Sequence, residues 1–266
     1  MTVGITGLIV SRELTFPKTL TMLSNAGYES FELALRDTGY FSLESSESEV
    51  RDVSDQARSA GIELVSVCPS PVRGRPKDLM TADNGARAEG IATFKECIRL
   101  TKQVGAETIL VVLGALTPPL YYDEAYKNAL KSMRELAPVA EDAGIKLAIE
   151  YVWNKFLLSP MEFAQFCDEV NSPNVGFYFD PGNMAIFSYP EHWIRICGKH
   201  LMAVHMKDFR RQGSEWTPLM EGDVDFTAVM AELGKLNFDG ALVSEVGESI
   251  SPFDKTASDI RKIMTM

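Results

Sequence analysis

The chain has 266 residues, 45% of them hydrophobic and 24% charged, with a net charge of −11. That length suits one α/β barrel or two small domains, and the composition supports a large core. The acidic balance excludes a general nucleic-acid binder, whose surface is basic, but not a local basic pocket for a small anion.

Four dispersed cysteines (Cys68, Cys97, Cys167 and Cys197) form no C-x-x-C pair, as expected of reduced thiols in a cytoplasmic protein. No apolar run approaches a bilayer span. The apolar stretch at 3–10 lacks the basic flank and small-residue cleavage site of a secretion signal. A cytoplasmic protein with no membrane partner is expected.

Strand-like and helix-like segments alternate from one end to the other. Residues 3–10 read as a first strand, and Pro17, at a first-turn position, opens the helix behind it. A second strand covers 28–35, and an acidic, serine-rich stretch at 45–49 then leads into a helix ending at Ala60. The third strand is 62–68, followed by a helix over 81–104 with Ile91, Phe94 and Ile98 on one face. After a fourth strand at 108–113, Tyr126, Leu130, Met133, Ala137 and Ala140 recur at helical spacing. The fifth strand, 146–151, leads to a helix capped by Ser159, with Glu162 completing a capping box. Strands at 175–179, 201–206 and 241–246 finish the set, with helices near 190–197, 225–236 and 252–264.

Gly27, Gly61, Gly105 and Gly144 each stand between a helix and the next strand, at spacings of 34, 44 and 39 residues. A glycine just past a helix end stops it, so each interval is one strand–helix unit. Eight such units predict an α/β fold of the (β/α)8 TIM-barrel type, a single domain over residues 1–266. A doubly wound sheet would carry a glycine-rich fingerprint after the first strand. Gly4-Ile5-Thr6-Gly7 lacks that spacing.

Four of the strands end on or beside a metal-binding group: Glu150, Asp180, His205 and Glu245. Buried strands are costly places for carboxylates, so four in succession point to a shared purpose. Residues two apart share a face. Beneath the four lie Ala148, Tyr178 and Gly176, Ala203, and Val243 and Ala241. The other parity holds Ile149, Phe177, Phe179, Val204, Met206 and Leu242. Small residues inside and bulky ones outside turn all four polar groups into the barrel. Three carboxylates and one imidazole suit Mn²⁺, Mg²⁺, Co²⁺ or Zn²⁺ with positions left for a substrate.

With Asp180-Pro-Gly-Asn, His205-Met-Lys-Asp and Glu221-Gly-Asp-Val-Asp-Phe between Glu150 and Glu245, this set resembles the sugar phosphate isomerase/epimerase family of xylose-isomerase-like TIM barrels. That family includes ketose 3-epimerases, pentulose-5-phosphate 3-epimerases and hydroxypyruvate isomerases. The resemblance covers most of the chain and is specific from about residue 147 to 247. It implies one divalent ion, Mn²⁺ first among the choices, held by Glu150, Asp180, His205 and Glu245. It also implies that Glu150 and Glu245 are catalytic. One removes a proton from a ketose or ketose phosphate to give a metal-stabilised enediolate, and the other returns it. A carbohydrate substrate and a homo-oligomer are expected, with no nucleic-acid partner.

Substrate contacts are expected from Asn183, Lys207, Arg211 and Trp153. Ketose 3-epimerases have His where this chain has Asn183, an Asn shared with phosphopentulose epimerases. They also have Glu where Leu157 stands. Arg211 matches a substrate-contacting arginine. Asp208 either orients a metal ligand from behind or caps a loop. Arg73, Arg75 and Lys77 either bind a phosphate or form a solvated loop, and Trp153 and Trp216 either cover a sugar ring or simply pack. Glu32, read as ending the second strand with inward parity, either touches the substrate or, as the first expectation, bonds a neighbouring loop.

The alternative function is a metal-dependent lyase, cleaving C-glycosides by β-elimination from the same deprotonated carbon. A nuclease like endonuclease IV would need a histidine-rich trinuclear site, but His192 and His200 fall in or near a helix.

Overall fold

Runs of β-branched and aromatic residues alternate with amphipathic stretches, and each folds according to its period. The computed structural model describes residues 1–69 and 78–266. In chain order the strands are β1 (Thr2–Thr6), β2 (Ser30–Leu35), β3 (Glu63–Pro69), β4 (Thr108–Val111), β5 (Lys146–Glu150), β6 (Val175–Phe179), β7 (Leu201–Met206), β8 (Asp208–Arg210), β9 (Glu215–Thr217) and β10 (Ala241–Ser244). The helices are α1 (Phe16–Ala26), α2 (Glu47–Ser59), α3 (Asn84–Val104), α4 (Tyr122–Ala143), α5 (Pro160–Val170), α6 (Pro181–Ala185), α7 (Pro190–Cys197), α8 (Phe226–Lys235) and α9 (Phe253–Ile263).

Eight of the strands pair in parallel and close in the order β1-β10-β7-β6-β5-β4-β3-β2, a (β/α)8 barrel. Helix ends follow the local chemistry. Gly27 and Gly105 adopt left-handed conformations, both with φ of 86°, that end α1 and α3. Asp83, not Thr81, starts α3 by accepting from the Gly85 and Ala86 amides. Ser159 caps α5, but Glu162 reaches back to the Leu158 amide instead of the capping residue, so the expected capping box is half formed.

The strand parity is as the sequence implies. Cys68, Leu110, Ala148 and Tyr178 pack together inside the barrel with Ala203 against them. Ile149, Phe177, Phe179, Val204, Met206 and Leu242 join the core between strands and helices. There Phe177 lies 4.9 Å from Phe163 and 6.2 Å from Trp193, ring contacts worth about 0.5–1.5 kcal/mol each beyond their buried area.

Five strands are shorter than the sequence suggests, among them β2, which starts at Ser30, and β5, which ends at Glu150. β1 stops at Thr6 because Gly7 turns to donate its amide to the Glu32 carbonyl at 2.8 Å. β4 and β10 also stop early, at Val111 and Ser244. The β8–β9 hairpin and α6 lie beyond the sequence reading, since segments of three to five residues carry no usable period.

Gly176 is the closest point in the wall. A Cβ there would collide with the His200 carbonyl oxygen and lie 2.8 Å from the Met202 methyl group. Gly176→Ala therefore lowers the unfolding free energy by about 1–3 kcal/mol, measured by chemical denaturation. An unchanged midpoint would contradict this packing.

Candidate metal centre

The barrel delivers four groups to one place. Glu150 is the last residue of β5, and Asp180 follows β6, where its Oδ1 accepts the Asn183 amide at 3.0 Å and starts α6. His205 is the penultimate residue of β7. Glu245 follows β10, held by its amide's bond to the Met206 carbonyl at 3.1 Å. One donor atom from each of the four lies within 4.8 Å of the others. His205 Nδ1 is 3.2 Å from Glu150 Oε1 and 3.4 Å from Glu245 Oε2. Asp180 and His205 are fully buried and Glu150 nearly so, while the Glu245 side chain is 21% exposed and marks the open side.

So much negative charge in one place shifts the titration of its members. Burial, helped by the charges of Glu245 and Asp180 and opposed by His205, pushes the Glu150 carboxyl up to about 7. Burial works against the His205 imidazolium, but Glu32 and Glu150 outweigh it and hold its pKa well above the usual histidine range. Lys207 is raised in the same way: burial opposes its charge, and Asp180, Glu245 and Glu150 overcome it.

The donor set fits a divalent cation. Asp180 Oδ2 is buried and accepts no hydrogen bond, with the Lys207 ammonium 3.2 Å away. A buried carboxylate oxygen with no hydrogen bond, beside an imidazole nitrogen and two more carboxylates, is a donor set suited to a divalent cation.

Asp180-Pro181-Gly182-Asn183 arranges the neighbours. Gly182 admits the Lys207 side chain and Trp216, since a Cβ there would stand 2.8 Å from Lys207 Cβ and 3.1 Å from the indole. Asn183 is buried and donates from Nδ2 to Glu150 Oε1 at 3.2 Å. Lys207 Nζ lies 2.8 Å from Glu245 Oε2 and 4.6 Å above the Trp216 ring. Trp216 stacks on Trp153 at 5.0 Å, and Trp153 donates to the Asn183 carbonyl at 3.0 Å. These residues surround the mouth. Arg211 lies in the β8–β9 turn, 3.4 Å from Asp223 and partly exposed.

Asp208 is buried beside the hairpin it opens. Its carboxylate accepts the Phe209, Gly222 and Val224 amides at 2.8–3.2 Å, which ties the Glu221–Asp225 motif to the hairpin. Gly222 is required there because a Cβ would strike Asp208 Oδ1. Leu157 is buried in the apolar core. His192 is largely exposed and His200 bonds Asp168 at 3.0 Å before β7 begins, so neither joins the cluster. Arg73, Arg75 and Lys77 lie outside the described residues.

Glu32 is where the sequence reading fell short. It does not end β2; it is the third residue of the strand, and while its backbone carbonyl takes the Gly7 amide, its side chain is fully buried in the barrel. Its Oε1 is 3.1 Å from His205 Nε2, and its Oε2 accepts from Ser66 and Tyr178, each at 2.8 Å. The inward parity was the available signal. Which group lay opposite depended on closure between β2 and β7, and spacing does not reveal that.

Among known proteins, the chain is 23% identical over 257 residues to the putative L-ribulose-5-phosphate 3-epimerase SgbU of Escherichia coli, covering 91% of this chain and 87% of the relative. The crystal structure of D-psicose 3-epimerase with D-tagatose from Clostridium cellulolyticum H10 superposes with a TM-score of 0.82 at 17% identity, over 99% of both chains. The IOLI protein, solved with a zinc atom, superposes with a TM-score of 0.78 at 16% identity, over 100% of this chain and 97% of that one. The model of the family described as xylose isomerase-like TIM barrel matches residues 20–265, and the chain belongs to that family.

Proposed function

We propose that this protein is a divalent-metal-dependent epimerase or isomerase acting on a ketose or ketose phosphate in the cytoplasm. The observation that carries the reading is the cluster of Glu150, Asp180, His205 and Glu245 at the C-terminal mouth of the barrel. The 3-epimerase names of relatives sharing its fold support the substrate class.

Glu150, Asp180, His205 and Glu245 would hold the ion, with Mn²⁺ the first candidate and Mg²⁺, Co²⁺ or Zn²⁺ as alternatives. When bound, it supplies the positive charge that acidifies a carbon beside a carbonyl and offsets the charge left when the proton departs. Glu150 and Glu245 move that proton. One accepts it and the other returns it, either to the opposite face of the carbon or to its neighbour. Asn183 fixes the carboxylate of Glu150, and burial there raises its proton affinity toward neutral pH. Lys207 sits beside Glu245, positioned to donate to a substrate oxygen. Trp153, exposed and backed by its stack on Trp216, offers an indole face to the sugar. Asn183 and Arg211 complete the contacts, and the guanidinium suits a hydroxyl or a phosphate.

The test is solvent exchange. Incubated in D₂O with Mn²⁺ and a panel of ketoses and their phosphates, the protein should deuterate one carbon of its substrate, as followed by NMR. Glu150→Gln and Glu245→Gln should each slow that exchange by ~100-fold or more. Loss of a glycosyl group without stereochemical exchange would instead establish the lyase, and no reaction with either class would reject the proposal.

Metal and protons compete for this site. Glu150 and His205 both bind protons more tightly in the folded state, so the metal-free fold gains least from the site at high pH. Glu150 favours folding less as pH rises from its unfolded value near 4.5 toward 7, and the His205 contribution is lost above the ordinary histidine range. Between pH 5 and 8, thermal unfolding of EDTA-treated Glu150→Gln should fall less than that of the parent protein. Mn²⁺ should stabilise the parent more at pH 8 than at pH 5. Equal pH slopes for the two proteins would contradict the shift at Glu150.

A further inference from the structure

We propose that Glu32 is a positioning residue for the metal centre, holding His205 in the one tautomer and ring orientation that aim a lone pair at the ion. The inference rests on reading the four-residue cluster as a metal site and goes beyond it to the group that sets its affinity.

A neutral imidazole has one N–H and one lone pair, and the partner of one nitrogen decides which is which. The Glu32 carboxylate, an acceptor, lies 3.1 Å from Nε2, so the proton belongs on Nε2. Without an ion, Nδ1 also faces carboxylates, Glu150 at 3.2 Å and Glu245 at 3.4 Å; an ion that displaces the Nδ1 proton leaves that nitrogen as the ligand while Glu32 keeps the other proton on Nε2. Ring rotation is restricted as well, because the Tyr178 ring stands 4.4 Å from the imidazole.

Glu32 is itself fixed. Ser66 and Tyr178 hydroxyls bond its far oxygen, Oε2, and leave Oε1 to the histidine. Tyr178 and Ser66 also line a cavity of about 460 Å³ reached past the first residues of the strands, Thr2, Glu63, Lys146 and Ala241. Hydrogen bonds on the cavity's inner wall thus brace the carboxylate from below. An apolar residue would fill position 32 without the cost of burying a charge. What the charge adds is a stronger donor at Nδ1 and a fixed ring, the usual work of a carboxylate behind a metal-bound histidine.

Mn²⁺ titration of EDTA-treated protein by calorimetry tests this. Glu32→Gln should weaken Mn²⁺ binding by about 10–100-fold. Tyr178→Phe, which removes one of the two braces, should weaken it by a smaller factor. Metal-free melting curves establish that each variant is folded before it is titrated. The second readout is ¹⁵N-histidine NMR of the Zn²⁺-loaded protein, where the chain has only three histidines to resolve. One ring should carry its proton on Nε2 and the metal on Nδ1.

Equal Mn²⁺ affinity in the parent and Glu32→Gln would overturn the inference while leaving the metal site standing, as would a His205 ring protonated on Nδ1. Should Glu32→Gln fail to fold, Tyr178→Phe combined with Ser66→Ala decides by the same comparison. A parent protein that binds no Mn²⁺ would overturn the metal site and this inference with it.

Discussion

The carboxylates of Glu150, Asp180 and Glu245, each with an oxygen within 4.8 Å of the others and of a His205 nitrogen, repel unless positive charge stands among them. At an effective dielectric near 20, two like charges about 4 Å apart cost about 4 kcal/mol. Lys207 supplies one cation, between Asp180 and Glu245, and the His205 proton, shared with Glu32 behind it, supplies another in the absence of metal. Together they leave Glu150 with a strongly raised pKa and Asp180 Oδ2 without a hydrogen bond. A divalent ion answers that imbalance, and much of the upper face of the barrel is built around the four groups.

The supporting parts follow from this need. Small residues below the cluster, Ala148, Gly176 and Ala203, let the strand ends converge while bulky neighbours of opposite parity fill the core outside. Asp180 serves at once as a donor to the cluster and as the cap that starts α6, so the short helix holds Asn183 against Glu150. The β8–β9 hairpin, clamped by Asp208, carries Trp216 over Lys207. From the far wall, Glu32 reaches the back of His205.

The eight strand–helix units were legible because each strand is a run of apolar β-formers and glycines close several of the helices. The convergence of Glu150, Asp180, His205 and Glu245 was also legible, since parity and strand position together determine direction in a barrel. Short elements were not. β8, β9 and α6 are held by tertiary bonds from Asp208 and Asp180, and no periodicity announces those. Glu32 was hidden for another reason: its partners, Ser66, Tyr178 and His205, come from β3, β6 and β7, and only closure of the barrel brings them together.

The central claim is that these four strand-end groups form a single divalent cation site. Anomalous diffraction at the manganese edge from crystals grown with Mn²⁺ tests it directly. The expected map has one strong peak per chain, bounded by Glu150, Asp180, Glu245 and the Nδ1 atom of His205. No peak there at saturating Mn²⁺, or a peak that survives replacement of both Asp180 and His205 by alanine, would contradict it.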